Sequence, residues 1–254
     1  MSVAGGGTRG IFLMWAALAL LLLIAWIVVA RAADPDALWK IVHDRCVPDM
    51  QHNARPAPCE FVALAQGYAI LKDLRGATQF LLIPTARITG IEGPEILAPD
   101  APNYFHLAWE ARGRVSTRAG VALPDDDISL AINSMYGRTQ NQLHIHIDCI
   151  APDVHDILAA HAGEIGSAWS DFGSPLGGEH YRARRIAQDE NPFAVLAGSL
   201  ADAPAQMGRH TLVVTMVGGG LVALDGQADV AAGTSGSGEA LQDHGCALAQ
   251  KKSG

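Results

Sequence analysis

Residues 142–150 read Gln142-Leu143-His144-Ile145-His146-Ile147-Asp148-Cys149-Ile150 and alternate with a period of two. In an extended strand Leu143, Ile145, Ile147 and Cys149 point to one face, and His144, His146 and Asp148 to the other. Two imidazoles and a carboxylate side by side on one face are costly to bury without a chemical purpose. They suit nucleophilic or metal chemistry.

The surrounding sequence reads as alternating strands and short helices. Tyr68–Lys72 and residues 79–84 are two strands joined by the turn Asp73-Leu74-Arg75-Gly76. Residues 93–102 form a Pro-rich loop. The apolar spacing over 103–115 predicts one amphipathic helix. Ile128–Ile132 is a strand after the turn at Pro124-Asp125-Asp126-Asp127, and a polar loop over 133–140 leads into the His-x-His strand. Beyond Pro152, helices are expected at 154–162 and 191–200, and a strand at 181–186. A hairpin is expected between 211–217 and 221–224, then a flexible Gly-rich stretch over 233–238 and a final helix at 239–250. Strands joined by hairpins and one helical connection predict an α+β fold with a mainly antiparallel sheet and flanking helices.

Residues 11–30 are an uninterrupted apolar run between Arg9 and Arg31. Twenty residues in a helix rise about 30 Å, enough to span a hydrocarbon core and longer than the usual core of a cleaved signal. A retained N-terminal transmembrane anchor over 11–31 is the favoured reading. Cleavage near Ala30-Arg31-Ala32 is the alternative. Arg9 and the amino terminus favour an inside N-terminus. The organisation is then a short N-terminal segment (1–10), the anchor, and one domain over 35–250, with its core at about 60–152 and an extension at about 153–250. Four cysteines behind an export signal suggest disulfides in an oxidising compartment, Cys46 with Cys59 and Cys149 with Cys246. Free buried thiols are the alternative. The net charge of −8 argues against nucleic acid as the main partner.

The order strand, hairpin, strand, helix, strand, polar loop and His-x-His strand resembles the histidine-triad (HIT-like) nucleotide hydrolases and transferases. Asn133 lies eleven residues before His144 and Gln140 four before it, similar to that superfamily's Asn…Gln…His-x-His pattern. Arg87 falls where the wider superfamily carries a further histidine, and Asp148 stands where it has its third. A closer resemblance is to the bacterial membrane-anchored CDP-diacylglycerol pyrophosphatases. It rests on residues 133–152 (NSMYGRTQNQLHIHIDCIAP), Gly67-Tyr68 to Asp73, Pro102-Asn103 to Arg112, Gly178 to Arg185, and Gln242-Asp243-His244.

That resemblance implies hydrolysis of CDP-diacylglycerol to CMP and phosphatidate in phospholipid metabolism, through a nucleotidyl-histidine on His146. His144 would orient the nucleophile or bind phosphate oxygen. Asn133 and Gln140 would donate to phosphate oxygens, Arg87 and Arg138 would supply positive charge, and Asp148 would orient His146 or accept a proton. No cofactor and no metal are implied. The expected location is the bacterial inner membrane, single-pass, with the catalytic domain facing the periplasm, as a monomer. Two other readings stay open. One is a metal-dependent phosphodiesterase in which His106, His155 or His180 completes a zinc set with the same histidines. The other is a non-catalytic nucleotide- or lipid-binding module. His244, next to Cys246, reads as structural.

Overall fold

The structure is a computed structural model that describes residues 34–252. The anchor expected at 11–31 lies outside the described residues. No helix among them is long and apolar enough to cross a membrane. The fold is α+β. Its centre is a nine-stranded sheet of β1 (Phe61–Ala63), β2 (Tyr68–Lys72), β3 (Phe80–Pro84), β4 (Ile128–Ile132), β5 (Ile145–Cys149), β6 (Ser170–Asp171), β7 (Tyr181–Arg185), β8 (His210–Val217) and β9 (Gly220–Gln227). The strand order is β1-β2-β3-β5-β4-β8-β9-β7-β6, and every pairing is antiparallel. The C-terminal extension therefore continues the sheet of the core.

The alternation in β5 decides how the two faces are used. Ile145, Ile147 and Cys149 join Phe80, Leu82, Leu130 and Leu212 in the main core, under the helices that carry Phe105, Trp109 and Phe193. Burying each isoleucine is worth roughly 1.5–3 kcal/mol, so a one-residue slip of β5 would lose that and bury His144 and His146 there instead. The other face is covered in two separate places. Over β1–β3, Val42 and Cys46 pack on Val62, Ala69, Leu71, Leu81 and Ile83. Over the extension, Val154 and Leu158 of the helix Pro152–Ala160 pack with Val213, Val222 and Leu224. Between these two covers the histidine face of β5 meets polar groups.

Several elements differ from the sequence reading. In the connector before the core, where the sequence predicts a short helix around 38–42 followed by a Cys46–Cys59 loop, the chain is helical from Ala37–Ile41 through a π-turn at Val42–Cys46 to Val47–Asn53, so Cys46 lies in a helix rather than a loop. The widened turn directly precedes Pro48, whose ring and missing N–H disrupt an ordinary α-turn. The helix expected over 103–115 is two, Tyr104–Glu110 and Gly113–Ala119, broken by a tight turn in which Ala111 and Arg112 donate to the carbonyls of Ala108 and Trp109. The helix expected over 239–250 is a 3-10 turn at Gly238–Leu241, a non-helical stretch with a bridge at Gln242 and a turn at 244–245, and a helix at Ala247–Lys252. The non-helical stretch ends at Cys246, which has a positive φ of 51°. A helix there would carry His244 away from the sheet.

Both disulfides form, Cys46–Cys59 and Cys149–Cys246, with Cα atoms 5.7 and 5.3 Å apart. The second joins β5 to the C-terminal stretch across 97 residues. Native disulfides of this kind contribute roughly 2–5 kcal/mol, largely by restricting the unfolded chain. Cys246→Ser is expected to lower the unfolding free energy by an amount of that size, read as a fall in the urea midpoint, and added reductant should then have a much smaller effect than on the wild type. Equal midpoints for wild type and variant would refute this.

Candidate active site

His144, His146 and Asp148 are 7 %, 4 % and 0 % exposed. Leu81 of β3 and Ala131 of β4 flank His146 in register, and Ser129 of β4 lies opposite Asp148. These small or apolar neighbours leave room for the two imidazoles, whose ring centroids are 4.8 Å apart in an edge-on arrangement.

The histidines have different partners, and this fixes different tautomers. His144 Nδ1 lies 2.7 Å from the carbonyl oxygen of Gln142. A carbonyl only accepts, so Nδ1 carries the proton and Nε2 keeps a lone pair. The Gln142 backbone is itself pinned, because its buried side chain donates to the carbonyls of Pro84 and Ala86 at 3.1 and 2.9 Å. His146 Nδ1 lies 2.8 Å from Nε2 of Gln79, which also donates to Glu239 at 3.3 Å. An amide nitrogen donates, so His146 accepts at Nδ1 and bears its hydrogen on Nε2. Turning the Gln79 amide over would set its oxygen against the Glu239 carboxylate. His146 Nε2 is buried without a hydrogen-bond partner, 3.6 Å from Glu239 Oε2.

Both imidazoles are held neutral. Burial pushes the His146 pKa down to about 3, with a further push from His144 beside it. Burial likewise lowers His144, against the opposing pull of the Gln142 carbonyl.

The segment 236–244 crosses this face as a strap. It starts where Ser134 N–H donates to the Gly236 carbonyl, and ends where Ala77 and Asp243 N–H donate to the carbonyls of His244 and Cys149. Gly236 and Gly238 allow it to lie close. A Cβ on Gly238 would come within 2.6 Å of Thr211 Oγ1 and 2.9 Å of Val213. The strap delivers Glu239 and His244. Asn133 donates to Glu239 Oε2 at 3.1 Å and accepts from the Glu239 N–H and Ser237 Oγ. His244 bridges two carboxylates, with Nδ1 2.7 Å from Asp148 and Nε2 3.1 Å from Glu239. Those two hydrogen bonds push its pKa up to about 10. Burial alone would raise the Glu239 pKa, but hydrogen bonds from His244, Gln79 and Asn133, with the nearby His146, hold it below the usual carboxylate range. Asp148 also accepts from Thr78 Oγ1 at 2.6 Å and from the Cys149 N–H.

The sequence-derived site residues are thus distributed unevenly. Asn133 and Asp148 join the histidines but brace the strap. Arg138 is clamped on Glu92 at 2.8 and 2.6 Å, close enough to His144 to oppose its protonation. Arg87 pairs with Asp36 and stacks over Trp39. Gln140 accepts from the Leu38 N–H at 3.0 Å. The last two are therefore held to the N-terminal helix. His244 does more than brace Cys246. Gln79, Gln142 and Glu239 escaped the sequence reading, although Gln242-Asp243-His244 was a visible motif beside Glu239. Among the described residues, the group able to share one metal ion is Asp126, Asp127 and His155, which includes neither His144 nor His146, and Lys252 already pairs with Asp127. A cavity of about 590 Å³ is lined by His180, Tyr181, Arg182, His210 and Asp225 rather than by the two histidines.

Residues 33–250 match the profile of the CDP-diacylglycerol pyrophosphatase family. The chain is also 44 % identical over 221 residues to a Yersinia pestis protein named CDP-diacylglycerol pyrophosphatase, covering 85 % of this chain and 86 % of that one. With a match spanning the whole sheet and the strap, the chain belongs to the CDP-diacylglycerol pyrophosphatase family.

Proposed function

We propose that this chain hydrolyses CDP-diacylglycerol to CMP and phosphatidate, with His144 as nucleophile and His146 as its hydrogen-bond-donating neighbour. Family membership supports the substrate. The observation that carries the mechanism is the His144 Nδ1 bond to the Gln142 carbonyl, which leaves Nε2 as a neutral imidazole nucleophile. This exchanges the roles expected from the sequence, in which His146 attacks. The lone pair on His146 Nδ1 is already occupied by Gln79.

In this reading Nε2 of His144 attacks the phosphorus that bears cytidine. A P–N bond forms, the anhydride P–O bond breaks, and phosphatidate leaves with the bonding pair. The unpartnered N–H of His146 faces the oxygens of the reacting phosphates. Water then cleaves the P–N bond, releasing CMP and restoring His144. Glu239, ionised in the strap, is placed to take a proton from that water.

The element order from β2 to β5 supports the HIT-like reading of the core. Sites on a single sheet running through core and extension support a monomer. The two disulfides support an oxidising compartment, so the catalytic domain faces the periplasm from a single-pass anchor at 11–31 in the inner membrane.

The test is CMP release from CDP-diacylglycerol by the full-length protein in detergent, with and without a chelator. Turnover unaffected by the chelator is expected. Activity lost to the chelator and restored by zinc would favour the metal-dependent phosphodiesterase, and tight CMP binding without turnover would favour a binding module.

A further inference from the structure

The strand registers place the loops at two ends of the sheet. At one end lie the β1–β2 turn (64–67), the segment after β3 (84–92), the loop 133–143, and the chain after β9 (228–234). His144 lies at this end, just before β5. The opposite end carries the turn 73–76, Cys149 and the β8–β9 turn. Large apolar side chains are exposed unevenly between them. Leu64, Met135, Tyr136 and Val230 are 44 %, 44 %, 50 % and 62 % exposed, and all four are at the His144 end. Leu74, at the opposite end, is fully exposed, and Phe61 on β1 and Leu97 are exposed at 38 % and 36 %.

The described residues also begin at the His144 end. Asp36 pairs with Arg87, which follows β3, and the Leu38 N–H donates to Gln140. The 33 residues before the described region, with their apolar run at 11–30, are therefore attached at this end. Trp39 sits one turn into the helix under the Arg87 guanidinium, an amphipathic ring of the kind favoured at a membrane interface. Two of the basic groups beside the loops, Arg87 and Arg138, are already paired with Asp36 and Glu92.

We propose that this end of the sheet docks on the bilayer, with Leu64, Met135, Tyr136 and Val230 immersed at the lipid–water interface at the end where His144 lies. The proposal rests on the reading of the substrate as a lipid nucleotide and of residues 11–31 as the anchor. It adds the surface that meets the membrane and the reason for it. A diacyl substrate keeps its chains in the bilayer. Its diphosphate sits at headgroup level, so a nucleophile near the apolar rim reaches phosphorus without extracting the lipid.

All four cysteines of the chain are paired, so one added cysteine provides a single labelling site. Full-length Tyr136→Cys, Val230→Cys and Leu74→Cys would each carry an environment-sensitive fluorophore and be reconstituted into vesicles containing nitroxide-labelled lipid. Probes at 136 and 230 are expected to be quenched by the lipid nitroxide and shielded from aqueous iodide, while the probe at 74 stays open to iodide. Iodide access at 136 and 230 equal to that at 74 would overturn the proposal. So would shielding that persists in lipid-free detergent and follows protein concentration, since that marks a second copy on this face. In parallel, Tyr136→Asp/Val230→Asp should lose activity several-fold on CDP-diacylglycerol in vesicles and little on the same lipid dispersed in detergent. Equal loss in both would also overturn it. If neither protein releases CMP, the substrate reading fails while the quenching result still decides the docking.

Discussion

His144→Ala is expected to reduce CMP release by about three orders of magnitude or more, the usual size of losing a covalent nucleophile. His146→Ala is expected to cost less, about 10²-fold, as for loss of one hydrogen-bond donor to the reacting phosphate. The ranking follows from two hydrogen bonds. Nδ1 of His144 is spent on the Gln142 carbonyl, so its Nε2 lone pair is free, whereas His146 spends its lone pair on Gln79. Rapid quenching with phosphorus-labelled substrate separates the roles. His146→Ala should still accumulate an acid-labile, base-stable phosphoramidate, and His144→Ala should accumulate none. The reverse pattern would return the nucleophile to His146. The pH profile carries a second sign. Burial lowers the pKa of both histidines, so both stay neutral where a free imidazole, with its pKa near 6.5, would be protonated. Turnover should therefore hold as the pH falls below 6.5. A drop with an apparent pKa near 6.5 would mean that the histidines are hydrated in the working enzyme.

The sheet was largely legible because its signal is local. Period-two alternation in β5, the turn at 73–76 and the hairpin at 218–220 are each written in a few adjacent residues, and the structure follows them. The two disulfides were legible from the even cysteine number behind an apolar N-terminal run. What failed depends on contacts distant in sequence. The stretch 239–250 has helical composition, but Cys149–Cys246 and the His244–Asp148 bond hold residues 242–246 out of a helix. Glu239 lies 93 residues from His146, and no spacing rule joins them. The same limit applied to the arginines. Arg87 and Arg138 were chosen for charge and position in the motif, but their counter-ions Asp36 and Glu92 are set by topology. The tautomers that divide the roles of His144 and His146 were also invisible, because they depend on a backbone carbonyl and on Gln79.

Asp148→Asn is expected to loosen the whole strap. Asp148 is completely buried and accepts from Thr78, the Cys149 N–H and His244. An amide in its place cannot hold the imidazolium of His244 by charge and must point two hydrogens at donors. Breaking a buried ion pair from one side typically costs 3–5 kcal/mol, but His244 is about one-third exposed, so about 2 kcal/mol is expected here. Activity should fall further than stability, at least tenfold, because Glu239 loses the His244 contact that fixes it against His146. The pH dependence gives an independent check. The pKa of His244 is raised from 6.5 to about 10 in the folded state. Its stabilisation is therefore complete below 6.5 and is lost as pH rises through about 10. Glu239 is lowered from 4.5, so its contribution is present above 4.5 and is lost only as pH falls well below it. The wild type should keep the strap closed between these limits. In Asp148→Asn the alkaline limb should move down toward 6.5, seen in the thermal midpoint and in proteolysis of the strap across pH. Coincident alkaline limbs in the two proteins would mean that His244 is held by Glu239 alone, with Asp148 serving only as a buried brace for β5.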